Sequence, residues 1–266
     1  MRMVLLCLSV VFLVEPCFAA GVTNSAHDPP NILWITSEDN SARWLGCYGN
    51  SLARTPHIDR LAREGFLFEN CFANVPVCAP CRSSWITGIH AVSNGSLPMR
   101  SRYNVIPHEK VRYYPDYLKA AGYRCYNPGK TDYNIGGRDD TDCWEASEKF
   151  AWKIDDQRPF FQVVNIGFTH ESSLHGMVSG DPVPDGSLAR KVQIARHHPD
   201  LPEMRYNYAE YLDRVSVMDY QVGKVLEDLA AAGQAEKTIV IYNSDHGGVL
   251  PRSKRFLLDT GLHCPL

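Results

Sequence analysis

Two pairs of side chains that could bind a metal stand directly after apolar runs in this sequence. Glu38 and Asp39 follow the run NILWIT, and Asp245 and His246 follow the run TIVIYNS. Three carboxylates suit Ca²⁺ or Mg²⁺, and the imidazole would also suit Zn²⁺ or Mn²⁺. Acids after a strand are also ordinary helix caps, and either pair alone favours that interpretation. Both pairs together, on separate strands of one sheet, indicate a divalent metal site.

A second candidate for chemistry is the segment 78–82 (CAPCR). A Cys-x-x-Cys pair at a helix N-terminus can be a thiol–disulfide redox pair, because that position lowers the pKa of a thiol. It can equally be structural, with one cysteine in a disulfide elsewhere and the other buried. The spacing alone leaves both interpretations open.

The elements that would position these residues alternate between strands and helices. Apolar runs predict strands at 31–36, 160–168 and 238–244, and helical spacing predicts helices at 55–65, 114–122 and 208–233. This order predicts an α/β fold whose mostly parallel central sheet is flanked by helices on both faces. Ligands of such sheets bind at the carboxyl ends of the strands, where both candidate metal pairs would lie.

Two further features of the pattern carry predictions. The long helix has an apolar stripe of Leu212, Val215, Val222, Leu226 and Leu229. The segment 181–202 contains Pro and Gly and is weakly periodic, which predicts a surface insertion.

Composition limits the classes of protein. The chain has 266 residues, of which 44% are hydrophobic, so it is neither a disordered tail nor a coiled coil. Its 27 basic and 30 acidic residues give a net charge of −3, which predicts no nucleic-acid partner. The length suits one large α/β domain or two small ones.

The first twenty residues predict a targeting segment. Arg2 precedes an apolar run at 4–14, which is too short to span a bilayer, and small residues follow it. Residues 1–20 are therefore interpreted as a signal peptide, so the protein is expected to be periplasmic or secreted. Cys17 offers a lipoprotein alternative, which the preceding proline disfavours. No other stretch predicts a membrane span.

The number of cysteines also bears on the expected export of the protein. Removal of residues 1–20 leaves seven of the nine cysteines, an odd number in a chain sent to an oxidising compartment. At least one of them is then unpaired or chemically used.

The stretch 78–88 (CAPCRSSWITG) resembles the signature of the type I sulfatases. That signature reads Cys or Ser, any residue, Pro, any residue, Arg, and then Thr-Gly a few residues later. The surroundings agree in order: PNIL before the first acidic pair, the helix TPHIDRLA, Gly129-Lys130, Asp245-His246-Gly247 and Lys254. The resemblance implies the alkaline phosphatase-like fold, with residues 28–266 as the N-terminal catalytic domain.

The resemblance also implies a modified nucleophile. In this family a maturation enzyme that generates formylglycine oxidises the signature cysteine, here Cys78, to an aldehyde (3-oxoalanine). The hydrated aldehyde carries two hydroxyls: the first attacks sulfur, and the second allows sulfate to be expelled. A divalent cation, Ca²⁺ by resemblance, lowers the pKa of the attacking hydroxyl. Its implied ligands are Glu38, Asp39, the side chain derived from Cys78, Asp245 and His246.

Four further residues are implied to act in catalysis. Arg82, Lys130 and Lys254 would add positive charge where the transition state gains negative charge. His170, just after a predicted strand, would donate a proton to the leaving group. The substrate implied is a sulfated carbohydrate or a small sulfate ester.

The sequence departs from the family pattern at two positions. Cys81 stands where Ser or Ala is usual, and a disulfide with unmodified Cys78 would block maturation. The Gly-Lys-x-His element ends in Asp132, an anion that is useful only if it binds an amine or hydroxyl of the substrate. The runs 129–134 (GKTDYN) and 169–173 (THESS) resemble the heparan N-sulfatase-like branch, which suggests an N-sulfated glucosamine.

Length is the third departure. Members of the family continue into a C-terminal subdomain, so the sequence predicts a fragment, a truncated product or a chain completed by a second polypeptide. The alternatives to an active sulfatase are a phosphatase or phosphodiesterase of the same superfamily, a thiol oxidoreductase, and an inactive remnant that binds sulfated glycans.

Overall fold

The computed structural model describes residues 29–147, 149–174 and 186–266. Within them four parallel strands form one sheet, in the order β2-β3-β1-β4. The strands are β1 (Asn31–Ser37), β2 (Arg124–Tyr126), β3 (Phe160–Ile166) and β4 (Thr238–Ser244). The predicted parallel sheet is confirmed, and β2 is an addition that three residues were too few to reveal. The predicted signal peptide and residues 181–185 of the predicted insertion lie outside the described residues.

Six α-helices accompany the sheet in the described part of the chain. They are α1 (Pro56–Glu64), α2 (Cys78–Thr87), α3 (Ala91–Asn94), α4 (Tyr114–Ala120), α5 (Pro202–Ala231) and α6 (Asp259–Leu262). Short 3₁₀ turns lie at Ala42–Trp44, Gly46–Tyr48, Ala151–Lys153, Glu171–Leu174 and Ala235–Lys237. Helix α5 begins six residues before its predicted start, because a proline at the first helical position is pre-set for the helix. None of the described helices is long and apolar enough to cross a membrane.

The central strand β1 separates two hydrophobic layers. Leu33 and Ile35 are fully buried in the layer that contains α1 and α5, whereas Ile32 and Trp34 contact the layer that contains α2 and α4. This alternation follows from the two-residue period of a strand. The predicted stripe of α5 is buried in the first layer, so helices cover both faces of the sheet as expected.

A side chain of α5 holds the start of α1. The carboxylate of Asp219 accepts the backbone N–H groups of His57 and Ile58 at 3.2 and 2.9 Å. The residue before α1, Thr55, makes no side-chain cap. Asp219 therefore satisfies N–H groups that the helix itself leaves without partners.

The register of the strands brings their ends to one edge of the sheet. Ser37 at the end of β1 lies opposite Ile166 of β3 and Ser244 of β4. The residues that follow each strand therefore share the carboxyl edge, where the candidate site lies.

Candidate active site

The first residue of α2, Cys78, lies at the centre of the site. Its side chain is fully buried, with Sγ 3.2 Å from His246 Nε2 and 3.9 Å from Asp39 Oδ1. Pro80 is the third residue of α2, where its missing N–H has no intrahelical acceptor to lose. Gly88 ends the helix with a φ of 68°. The cysteine predicted as the nucleophile therefore touches both predicted metal pairs.

The acidic residues after β1 and β4 converge on His246. Asp39 Oδ1 and Asp245 Oδ1 lie 3.1 and 3.7 Å from His246 Nε2, and the N–H of Asp39 donates to Asp245 Oδ1 at 3.1 Å. Asp39 has a φ of 52°, in the left-handed region that non-glycine residues seldom adopt. The Tyr211 hydroxyl donates to the backbone carbonyl of Asp39, which helps to hold Asp39 in this conformation.

Each of three carboxylates in the site contacts a cation. The pairs are Lys254 Nζ with Asp39 Oδ2 at 2.9 Å, Arg82 Nε with Asp245 Oδ2 at 3.3 Å, and Lys130 Nζ with Glu38 Oε2 at 2.9 Å. Burial lowers the pKa of Lys254, but the Asp39 carboxylate overcomes this and keeps it above its usual value. Paired charges of this kind are tolerated in a buried site because each has a partner.

Electrostatics also determine the state of His246. Burial lowers its pKa, but the charge of Asp245 and the hydrogen bond to Cys78 raise the pKa to about 9. Burial raises the pKa of Asp245, yet His246 and Arg82 hold it well below its usual range. Binding a metal through Nε2 requires the neutral form of the imidazole.

His170 lies just beyond the end of β3, at the rim of the site. Its Nε2 is 3.8 Å from Glu38 Oε2, and its Nδ1 pairs with Ser172 Oγ at 2.9 Å. Its side chain is 28% exposed, whereas that of Glu38 is 8% exposed.

Two groups of possible metal ligands share Cys78. One combines Cys78 with Asp39 and His246, and the other combines it with Glu38 and His170, with the ligand atoms of each group within 4.8 Å of one another. The nine residues named from the sequence thus meet at one edge of the sheet. Their roles remain predictions.

The structure adds two site residues that sequence reasoning missed. Asn165 Oδ1 accepts Arg82 Nη1 at 3.0 Å, and Glu171 lies 3.0 Å from Lys254 Nζ while its N–H donates to Asp39 Oδ2 at 2.7 Å. Two sequence signals could have identified them: Asn165 is a polar residue within an apolar strand, and Glu171 is an acid next to His170. The side chain of Asn165 contacts Arg82 and that of Glu171 contacts Lys254, both of which the sequence did identify.

The environment of Cys81 argues against a thiol–disulfide pair. Its Sγ donates to the Asp245 carbonyl at 2.7 Å. Burial, with the charge of Asp245, raises the pKa of Cys81 well above its usual value. The thiolate is the reactive form, so this thiol is poorly suited to redox exchange. The seven cysteines of the described residues all lack disulfides.

The part of the chain that carries the site matches one known family. The family model Sulfatase matches residues 30–150 and 125–263. The chain belongs to the sulfatase family. All nine site residues lie within the matched ranges.

Curated relatives of the chain agree with its assignment to the family. It is 32% identical to an ulvan-active sulfatase of Formosa agariphila, over 89% of this chain and 47% of that protein. It is 30% identical to N-sulphoglucosamine sulphohydrolase of Homo sapiens, over 90% of this chain and 54% of that protein. The chain thus spans about half the length of these curated relatives.

A solved structure shows the same fold. A 2-O GAG sulfatase superposes with a TM-score of 0.68 at 17% identity, over 90% of this chain and 63% of that one. The expected alkaline phosphatase-like α/β architecture is therefore confirmed.

Proposed function

We propose that the protein hydrolyses a sulfate ester or sulfamate of a sulfated sugar, with a group derived from Cys78 as nucleophile and a divalent cation beside it. The observation that carries this proposal is the burial of Cys78 Sγ 3.2 Å from His246 Nε2, among the acids that follow β1 and β4. The names of the relatives, which act on ulvan or N-sulphoglucosamine, support a sulfated carbohydrate as substrate.

The donor set fits a hard divalent cation. Asp39, Asp245 and His246 are fully buried, and Glu38 is nearly so, which brings three carboxylates and an imidazole together where solvent is excluded. We propose that these four residues, with the side chain at position 78, hold Ca²⁺ or a similar cation. When bound, the cation lowers the pKa of a coordinated hydroxyl and neutralises sulfate oxygens.

The surroundings of Cys78 also fit formylglycine. A hydrated aldehyde is more polar than a thiol, and buried hydroxyls need hydrogen-bond partners. His246 and Asp39 already contact Sγ, and Lys254 lies against the same Asp39 carboxylate. The hydrate supplies one hydroxyl for attack on sulfur and a second for release of sulfate. A formylglycine-generating enzyme is the maturation partner that this proposal requires.

Basic side chains around Cys78 are suited to bind the sulfate. Among the described residues, the buried Nη2 of Arg82 has no hydrogen-bond partner, and Glu38 Oε1 lies 3.7 Å from it, beyond hydrogen-bond distance. An unsatisfied buried donor is costly, and an anionic oxygen would satisfy it. We propose that Arg82, Lys130 and Lys254 bind the sulfate oxygens and stabilise the charge that develops there.

The position of His170 suits proton transfer to the leaving group. Its Nδ1 is engaged by Ser172, which leaves Nε2 on the side of Glu38. Nε2 can therefore hold a proton between the carboxylate and a substrate oxygen or nitrogen. His170 is partly exposed, as expected for a group that meets the part of the substrate leaving the site.

The test combines peptide mass spectrometry with an assay. The protein is expressed with a formylglycine-generating enzyme, and the peptide that contains residues 77–82 is analysed beside hydrolysis of sulfated sugars. Formylglycine at position 78 together with sulfate release supports the proposal. Sulfate release by protein that carries only the unmodified thiol contradicts the mechanism, and modified protein that releases no sulfate contradicts the function.

We also infer that residues 1–20 direct export, so that the protein acts in the periplasm or outside the cell. Sequencing of the mature N-terminus after expression tests this inference. A mature protein that retains these residues in the cytoplasm contradicts it.

A further inference from the structure

Asp132 forms a two-pronged ion pair with Arg100. Arg100 Nε lies 3.0 Å from Asp132 Oδ1, and Nη2 lies 2.9 Å from Oδ2. The two side chains are 32 positions apart in sequence. Such paired hydrogen bonds fix the orientation of a guanidinium as well as its distance. Both Asp132 oxygens are therefore engaged by an arginine from another loop.

The loop that carries Arg100 is fastened to the loop that carries Asp132. Asn134 Nδ2 donates to the carbonyls of Ser96 and Pro98 at 2.9 and 2.6 Å, and the N–H of Ser101 donates to Asn134 Oδ1 at 3.3 Å. A bridge between Val105 and Ile135 continues the contact. The position of Arg100 relative to the site is thus set by several hydrogen bonds.

The backbone at both ends of the ion pair is unusual. Arg100 has a φ of 47° and Asp132 a φ of 53°, both in the left-handed region. Such conformations cost free energy for residues other than glycine, and they gather at ligand-binding and active sites. Arg100 and Asp132 both have this costly backbone conformation.

The ion pair stands next to the catalytic centre. Asp132 Oδ2 lies 3.8 Å from Lys130 Nζ, which in turn lies 2.9 Å from Glu38 Oε2. Arg100 is the outermost member of this chain of charges, with its side chain 59% exposed. Its Nη1 makes no hydrogen bond within the described residues. The guanidinium therefore offers fixed, open donors at the entrance to the site.

The exposed guanidinium of Arg100 favours an anionic ligand. Lys130 Nζ lies closer to Glu38 than to Asp132, so Asp132 is chiefly the partner of Arg100, whose side chain is still 59% exposed. Arginine forks suit the geometry of sulfate and carboxylate groups. The aspartate at the position of the family's histidine thus holds an arginine beside Lys130.

We propose that Arg100 is a substrate-binding residue that takes a second anionic group, a sulfate or a carboxylate, on a sugar beside the scissile sulfate. This inference rests on the proposed function, because it names the substrate class of the same site. It predicts a preference for doubly anionic sugars over singly anionic ones.

Binding measurements test the inference without turnover. In Cys78→Ala protein, affinities are measured by calorimetry for three probes: glucosamine N-sulfate, glucosamine 2-N,6-O-disulfate and a monosulfated disaccharide that contains glucuronate. Arg100→Gln is expected to weaken the doubly anionic probes about 10- to 100-fold, the value of a charge-assisted contact, and to affect the singly anionic probe far less. Loss with only one doubly anionic probe identifies sulfate or carboxylate as the second anion.

The matched control is Arg158→Gln. Arg158 also forms a close ion pair on the surface, with Asp156, but it lies before β3, at the opposite edge of the sheet. It is expected to leave all three affinities unchanged. Equal loss for all probes in Arg100→Gln, no loss at all, or no preference of the parent protein for doubly anionic probes overturns the inference. Failure of mature protein to release sulfate contradicts the proposed function instead, and leaves the binding comparison intact.

Discussion

Lys254 Nζ lies 2.9 Å from Asp39 Oδ2, in an ion pair that is almost completely buried. This contact joins the segment after β4 to the second acid after β1, and Glu171 touches both partners. A divalent cation that binds Asp39 must therefore bind a carboxylate that already pairs with Lys254. The effect of that cation on the free energy of unfolding can be measured without substrate.

Calcium is expected to stabilise the protein against heat. At a free concentration of about 100 times Kd, a ligand that binds only the folded state adds about 2.7 kcal/mol to the free energy of unfolding. Differential scanning calorimetry with Ca²⁺ and with a chelator measures this shift. Asp245→Asn should abolish most of it, whereas Asp156→Asn, at the far edge of the sheet, should retain it. A shift of the same size in Asp245→Asn would show that calcium binds elsewhere.

Cys78 and Cys81 are expected to differ sharply in their effects on activity. Cys78→Ala removes the proposed nucleophile and should lower sulfate release by at least ~10³-fold, as loss of a nucleophile does in other covalent catalysts. Cys81→Ser keeps a donor for the Asp245 carbonyl and should retain most activity. Sulfate release is measured in both proteins after confirming their folding by circular dichroism. Activity that persists in Cys78→Ala would refute the assignment of the nucleophile.

Gly129 is expected to be needed for the position of Arg82. A Cβ at residue 129 would stand 2.7 Å from Asn165 Nδ2, and Asn165 accepts the hydrogen bond of Arg82 Nη1. Gly129→Ala should therefore displace this amide and lower kcat about 10-fold or more, because loss of positioning is costly in catalysis. Gly167→Ala is the control, since a Cβ there meets no atom of the described residues within 4 Å. Equal rates in the two variants would show that Asn165 does not position Arg82.

Asp219 is expected to stabilise the fold through α1. Asp219→Ala leaves the N–H groups of His57 and Ile58 buried without their acceptor, which should lower the free energy of unfolding by about 1–3 kcal/mol. The control is Asp213→Ala, on the exposed side of the same helix, which should change stability little. Urea unfolding measures both. A similar small effect for both variants would exclude Asp219 as an anchor for α1.

Acid is expected to weaken the protein through Asp116. The hydrogen bond from Arg138 lowers the pKa of Asp116, against the effect of burial, and the two groups form a two-pronged pair at 2.5 and 2.8 Å. A lowered pKa in the folded state gives stability that is present above the unfolded pKa of about 3.9 and is lost as pH falls through the folded pKa. The stability advantage over Asp116→Asn should be about 1 kcal/mol at pH 7 and should shrink below pH 4. A stability advantage over Asp116→Asn that stays the same at all pH values would show that the Asp116 carboxylate does not cause the acid weakening.

Most of the fold and the centre of the site could be predicted because their signals are local. Strand and helix periods identified β1, β3, β4, α1, α4 and α5, with an error of six residues at the start of α5. The carboxyl ends of parallel strands share one edge, so Asp39 and His246 had to lie near each other once the sheet was assigned. The spacing from Cys78 to Arg82 is likewise contained within one helix.

The tertiary structure alone decided which side chains meet across long distances in sequence. Nothing in the pattern pairs Asp132 with Arg100 or Asp219 with the start of α1, because such contacts depend on how separate loops and helices pack. The same holds for Asn165, which lies in a strand yet holds the guanidinium of α2. The sequence by itself determined the kinds of groups at the site and the edge of the sheet they occupy. Packing determined their partners, because the free energy of a buried charge depends on the neighbour it finds.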